Sequence, residues 1–296
     1  MKVLNYGSLN YDYVYGVEHF VTPGETLTSQ SFQKFYGGKG LNQTISLKRA
    51  GTEVYHAGMI GSDGESFLSL CKENEIPTEY IRTVDDVSGH AIIQVNNEGE
   101  NCILLCEGAN GRNSIDQIQQ VLGNFSKGDI LLVQNEINCL EELIQHAYEK
   151  GMKIILNPSP FNSKLTKSMF DQVDIFIMNE VEGSQVTGKE LPDDILESMK
   201  LQYPHAAVLV TLGSKGSIYQ DKEQKVTCDS FKVNVVDTTA AGDTYTGYFI
   251  AGLQTGLSIE KAMRQAAAAS AIAVMRKGAS PSIPKMDEVE SFLRKY

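Results

Sequence analysis

Residues 129–157 read DILLVQNEINCLEELIQHAYEKGMKIILN, and this stretch decides the fold class. It opens on Asp129–Val133, a continuous apolar run of the kind found in a strand buried on both faces. Leu140, Leu143, Ile144, Ala147 and Tyr148 then recur at i, i+3, i+4, i+7 and i+8, which is one face of a helix. Gly151 is the residue type favoured just past a helix end, and Lys153–Leu156 starts a second apolar strand. Strand, helix and strand in this order form a parallel crossover unit. The same rhythm extends outward in both directions. Lys2–Tyr6 reads as a strand, residues 40–50 (GLNQTISLKRA) as a helix stopped by Gly51, Glu53–Met59 as a strand, and Asp63 as the start of a helix toward Asn74. Asp174–Met178 and Ala207–Thr211 add further strands. The expectation is an α/β fold: a doubly wound, mostly parallel central sheet flanked by helices.

Two segments, 10–36 and 88–107, break the rhythm with strand-like pieces such as HAIIQV and NCILLC and no helix between them. Asn97–Glu100 is a hairpin turn candidate. These pieces predict a small antiparallel β-sheet lid inside a single domain spanning 1–296. A thin sheet cannot bury both faces alone, so it either covers a site or pairs with a second copy. A homodimer through the lid is the expectation.

Composition narrows the function. The chain has 296 residues and a net charge of −11, so a basic face for nucleic acid is not expected. The five Cys include no C-x-x-C pair and the five His no zinc spacing. The N-terminus, MKVLNYGSLNYD, turns polar too soon for a signal peptide, and no run of 18 apolar residues offers a membrane span. A reduced, cytoplasmic protein that meets neither membrane nor nucleic acid is expected.

The chemistry concentrates in VNVVDTTAAGDTYTGYFIAGL, residues 233–253. A strand-like VNVV leads through Asp237 to the small residues Ala240, Ala241 and Gly242, then Asp243 and a helix. The first N–H groups of a helix lack intrahelical partners, which makes an anion site with a carboxylate beside it. Asp243 reads either as a general base next to that site or as an acid complementing the helix dipole. YGGKGLNQ (36–43) is a glycine loop entering a helix, suited to a polyol or simply to a turn. Asp12 follows the first strand. Asn179-Glu180-Val181-Glu182 follows the strand DIFIM, where open α/β sheets bind ligands, and equally reads as a helix cap. TLGSKG (211–216) reads as a nucleotide loop or a hairpin turn. No G-x-x-x-x-G-K-[ST], G-x-G-x-x-G or kinase H-R-D motif occurs, which disfavours a P-loop enzyme and a nicotinamide-dependent oxidoreductase.

Together, GSLNYD, PGET, GGKGLNQ, NPSP, NEVEGSQVTG, TLGSKG, DTTAAGDT and RKGASPSIP resemble the ribokinase-like (phosphofructokinase-B) carbohydrate kinase family over nearly the whole chain. PGET, LNPSP and RKGASPS look most like its ribokinase branch. Ala240 stands where the family usually has glycine. The resemblance implies Asp243 as base on a primary sugar hydroxyl, with Ala240, Ala241 and Gly242 N–H groups as the anion hole. It implies Asp12, Gly38, Lys39, Asn42 and Glu136 on the sugar, and Asn179, Thr211, Gly213 and Gly216 at ATP, with Asn179 and Glu182 ordering Mg²⁺ through water. A K⁺ site would fall at Asp237, Thr239, Ala273, Arg276, Gly278 and Ser282. The implied activity is ATP-dependent phosphorylation of a pentose, ribose first; the alternatives are another small polyol (deoxyribose, a ketohexose, a nucleoside) or a non-catalytic sugar-binding protein.

Overall fold

Adjacent residues of the first strand serve different cores. Val3 belongs to a cluster of 35 buried side chains and Leu4 to a separate one of 29. Ile130 and Leu131 divide in the same way. Successive strand residues point to opposite faces, so two cores of comparable size mean a sheet covered on both sides.

The computed structural model describes residues 1–296. Its strands are β1 (Val3–Tyr6), β2 (Asn10–Gly16), β3 (Ser31–Gly37), β4 (Val54–Ile60), β5 (Tyr80–Thr83), β6 (Gly89–Val95) and β7 (Asn101–Cys106). They continue as β8 (Ile130–Gln134), β9 (Lys153–Asn157), β10 (Ile175–Asn179), β11 (Ala207–Thr211), β12 (Ser217–Gln220) and β13 (Lys225–Cys228). The helices are α1 (Lys39–Arg49), α2 (Glu65–Glu73), α3 (Ile115–Leu122), α4 (Leu140–Glu149), α5 (Lys167–Phe170), α6 (Glu180–Thr187), α7 (Pro192–Gln202), α8 (Ala241–Gln254), α9 (Ile259–Val274) and α10 (Met286–Leu293). The nine-stranded sheet has the order β13-β12-β11-β10-β9-β8-β1-β4-β5. It is parallel from β5 to β11 and ends in the antiparallel strands β12 and β13. Helices α1, α2, α8, α9 and α10 supply one core, and α3, α4, α5 and α7 the other. The doubly wound α/β expectation holds.

From β1 the chain moves outward to β4 and β5, then returns to β8 on the other side of β1 and proceeds the opposite way. The carboxyl ends of β1 and β8 therefore flank a crevice, the place where such sheets bind ligands. Helices α1 and α8 close over it because their backbones nearly touch. A Cβ on Gly247 would strike Ser46 and lie 2.7 Å from the Leu47 nitrogen. Ser46 Oγ also donates to the Thr244 carbonyl at 2.9 Å.

The second sheet has the order β3-β2-β6-β7, which places the lid in the two expected segments. It is mixed rather than antiparallel, since β2 and β6 pair in parallel. Both leave the main sheet at one point: Asn10 pairs with Gly89, and Asn110 Nδ2 bonds Asn10 Oδ1 at 2.7 Å. Common departure forces a common direction. A second correction concerns VNVV (233–236), which joins no strand ladder. Val236 and Asp237 instead donate their N–H groups to the Val274 carbonyl at 2.8 and 3.2 Å, so this segment hangs from the end of α9.

Candidate active site

The glycines of the 36–43 loop are demanded by what surrounds them. Gly38 has φ +91°, a left-handed conformation that side chains rarely adopt. A Cβ on Gly37 would fall on the Asp12 carboxylate, and one on Gly40 on the backbone of Gly7 and Ser8. With both absent, α1 begins directly against the end of β1. The Lys39 N–H donates to Glu136 Oε2 at 2.9 Å, and Ser8 Oγ donates to the same oxygen. Leu41 is fully buried in the core, and Tyr36 packs on Tyr11 and Phe67, on the lid face opposite Asp12. Neither shapes the crevice.

At the start of α8, Ala240 has φ +58°, a conformation costing a residue with a Cβ roughly 1–2 kcal/mol. That is the physical reason for glycine at this position elsewhere. The Ala241 N–H turns back to the Thr238 carbonyl at 3.2 Å. The unengaged N–H groups of this helix end are therefore those of Ala240, Gly242 and Asp243. They border a cavity of about 200 Å³ lined also by Lys39, Asn157, Asn179, Glu182 and Thr211. Lys39, expected on the sugar, lines this cavity beside the start of α8. The Asp243 carboxylate is nearly buried and accepts from Asn42 Nδ2 at 3.1 Å and Gln43 Nε2 at 2.9 Å.

Four carboxylates, Asp12, Glu136, Glu182 and Asp243, and one ammonium, Lys39, share this crevice. Burial, then Glu136 and Asp243, push the Asp12 carboxyl up to about 7. Burial also raises Glu136, against the pull of Lys39 and two hydrogen bonds. Burial works to lower Lys39, but Asp243, Glu136 and Glu182 outweigh it and hold the ammonium charged. A small neutral molecule rich in hydroxyls, met by acceptors, and an anion, met by N–H groups and Lys39, suit this arrangement.

The anion cavity opens past Thr211, Thr238, Ala241 and Gly242 into a larger one of about 560 Å³. Gly213 and Gly216 of the β11–β12 turn line it, with Phe231, Val233 and Val235 of the suspended segment opposite Ala267 and Ala271 of α9. TLGSKG is thus both hairpin turn and cavity wall. Asn179 and Glu182 cap α6 reciprocally at 2.8 and 3.0 Å, and Glu182 Oε2 also accepts from Asn157 Nδ2 at 3.4 Å. Of the six positions expected around a cation, three are joined. Asp237 accepts from Thr239 Oγ1 at 2.6 Å and from the Gly278 N–H at 2.9 Å. Burial works to raise its carboxyl, yet these bonds hold it below its ordinary value. The Ala273 carbonyl accepts from the Arg276 N–H, the Arg276 side chain pairs with Glu288, and Ser282 Oγ donates to Ala279.

A family model described as pfkB family carbohydrate kinase matches residues 1–286. The ribokinase of Haemophilus influenzae is 38% identical, over 97% of this chain and 96% of that protein. The chain belongs to the pfkB family of carbohydrate kinases. The ribokinase structure from Thermotoga maritima superposes with a TM-score of 0.89 at 31% identity, covering 99% of each chain. The structure of Arabidopsis thaliana ribokinase complexed with ribose and ATP gives 0.88 at 30%, covering 99% of this chain and 98% of that one.

Sequence reading missed several residues of this pfkB-family site. Ser8, Gln43, Gln134 and Asn157 all bond within it. A signal was available for two of them: Gln134 and Asn157 each end a largely apolar strand, as the expected Asn179 and Thr211 do. Asp12 supplies a direct check on the electrostatics. Its folded value lies above the ordinary 3.8, so its charge costs nothing below that pH and the full penalty above about 7. In sugar-free protein, Asp12→Asn should raise the melting temperature at pH 8, and the gain should shrink steadily toward pH 5. A gain independent of pH would contradict the carboxylate cluster.

Proposed function

We propose that this carbohydrate kinase transfers the γ-phosphoryl group of ATP to the primary hydroxyl of a pentose, ribose first. The observation that carries the reading is the place of Asp243: its N–H is one of the unengaged ones at the helix end that borders the anion cavity, while its carboxylate lies beside Asn42 in electrostatic reach of Asp12 and Glu136. Asp12, Glu136 and Asn42 hold the sugar hydroxyls, the last from its place beside the Asp243 carboxylate. Asp243 accepts the proton of the attacking hydroxyl, and the α8 N–H groups with Lys39 stabilise the charge on the moving phosphoryl. The 560 Å³ cavity takes the nucleoside. Another small polyol as acceptor is the second reading, since the same acceptors suit any vicinal diol; a non-catalytic sugar binder is disfavoured by the paired placement of base and anion site.

Mg²⁺ fits at Asn179 and Glu182 through water, because the capping bonds occupy Glu182 Oε2 and leave Oε1 free at the cavity wall. Bound there it neutralises phosphate charge. An all-oxygen set with one carboxylate at Asp237 and Thr239 suits a hard monovalent cation such as K⁺. The lid face that carries Asp12 continues outward as Val14, Ile93, Ile103 and Leu105, with Ile103 55% and Leu105 44% exposed. A second copy's lid covers this face in a homodimer. Five free thiols and the lack of any helix long and apolar enough to cross a membrane support a cytoplasmic setting.

ADP release across a panel of pentoses, ketohexoses and nucleosides should be fastest with ribose, and release that needs no sugar would refute the acceptor assignment. On that substrate Asp243→Asn should lower kcat by about 10²–10⁴-fold with ribose and ATP still bound; near-normal kcat would reduce Asp243 to a dipole-complementing acid. Replacing K⁺ by choline should slow turnover clearly, and indifference would remove the cation from Asp237. Sedimentation velocity should give a dimer that Ile103→Lys shifts toward monomer, whereas a wild-type monomer would leave the lid as a self-contained flap.

A further inference from the structure

We infer that Gln43 is a positioning residue for Asp243, and that Gln134 and Asn5, which line neither of the two cavities described above, dictate which end of the Gln43 amide the base meets. The inference rests on Asp243 acting as the base.

A side-chain amide has a donor end and an acceptor end, and in isolation either fits the same space. The chain of bonds here removes that freedom. Asn5 Nδ2 donates to the Gly40 carbonyl at 2.7 Å and to Thr44 Oγ1 at 2.8 Å. A carbonyl only accepts, so Asn5 must keep its Oδ1 turned the other way. That oxygen accepts from Gln134 Nε2 at 3.1 Å, and the same Nε2 donates to Gln43 Oε1 at 2.6 Å. Gln43 is left with its NH₂ outward, toward Asp243 Oδ1 at 2.9 Å and Asn157 Oδ1 at 3.3 Å. Asn157 is fixed in turn, because its own Nδ2 donates to the Ile177 carbonyl at 2.8 Å.

Asn5, Gln43 and Gln134 are all 0% exposed. No solvent compensates a wrong orientation, so reversing Gln43 would set oxygen against the Asp243 carboxylate and NH₂ against NH₂ at Gln134. With Asn42 on Oδ2, the Gln43 bond fixes the carboxylate plane and hence where its free lone pairs point. The charged groups around Asp243 are Lys39 from α1, Asp12 from β2, Glu136 beyond β8 and Glu182 from α6. None of these charges changes when an amide in the chain is replaced.

Steady-state kinetics of Gln43→Met, Gln134→Met, the double variant and Asp243→Asn test the chain, with melting curves to establish folding. Gln134→Met should lower kcat by about 10- to 100-fold, the scale of a misplaced catalytic group, with both KM values unchanged. The double variant should be no slower than Gln43→Met alone, because Gln134 acts only through Gln43. Unchanged kcat in Gln134→Met, or losses that multiply in the double variant, would overturn the inference. If Asp243→Asn keeps normal kcat, the base assignment falls instead. Side-chain amide NMR of the wild-type protein removes any dependence on how Gln134→Met folds. The Gln43 NH₂ signals, identified by their loss in Gln43→Met, should move clearly in Asp243→Asn. Signals that stay in place would refute the Gln43–Asp243 contact itself.

Discussion

Two hydrogen bonds, from Asn42 and Gln43 to the carboxylate of Asp243, join residues 201 and 200 positions apart. Everything else in the crevice depends on that meeting. It requires the start of α1 to pack against the backbone of Gly7 and Ser8 just past β1, hence Gly37, Gly38 and Gly40, and α8 to lie almost in backbone contact with α1, hence Gly247. The sheet order supplies the rest. Because β1 lies between β4 and β8, the two directions of winding part at the place where the helix ends converge.

The same convergence explains how a chain of net charge −11 handles phosphate. No basic surface is needed. One lysine is kept charged by three carboxylates, and the open N–H groups at the start of α8 supply fixed partial charge where an anion would lie. Burial and, behind it, Asp243 raise Glu136, and burial with Glu136 and Asp243 raises Asp12, so the crevice is balanced between repulsion and pairing. Hydroxyls or a cation entering it relieve that repulsion, which ties ligand binding to the proton content of the site.

Much of this is legible in the residues. Apolar runs such as ILLV and AVLV give buried parallel strands, and the glycine loop and the DTTAAGD segment mark the two helix starts that meet. What stays hidden is long-range. VNVV has the pattern of a strand, yet β13 already ends that side of the sheet, and its valines line a cavity and hang from Val274 instead. The parallel β2–β6 pairing is set by where two distant segments leave the main sheet, which no local pattern records. Asn5, Gln43 and Gln134 read singly as ordinary polar residues in or beside apolar runs. Their meaning lies in the direction of each amide, and that direction is decided by partners up to 129 positions away.

The central claim is that Asp243 faces the primary hydroxyl of a bound pentose across the open end of α8. Phosphorus NMR of the sugar product formed from ribose and ATP tests it most directly. A phosphate ester on C5 is expected, seen as a phosphorus signal split by the two C5 methylene protons. A signal split by the single anomeric proton, or ADP formed with no phosphorylated sugar, would contradict it.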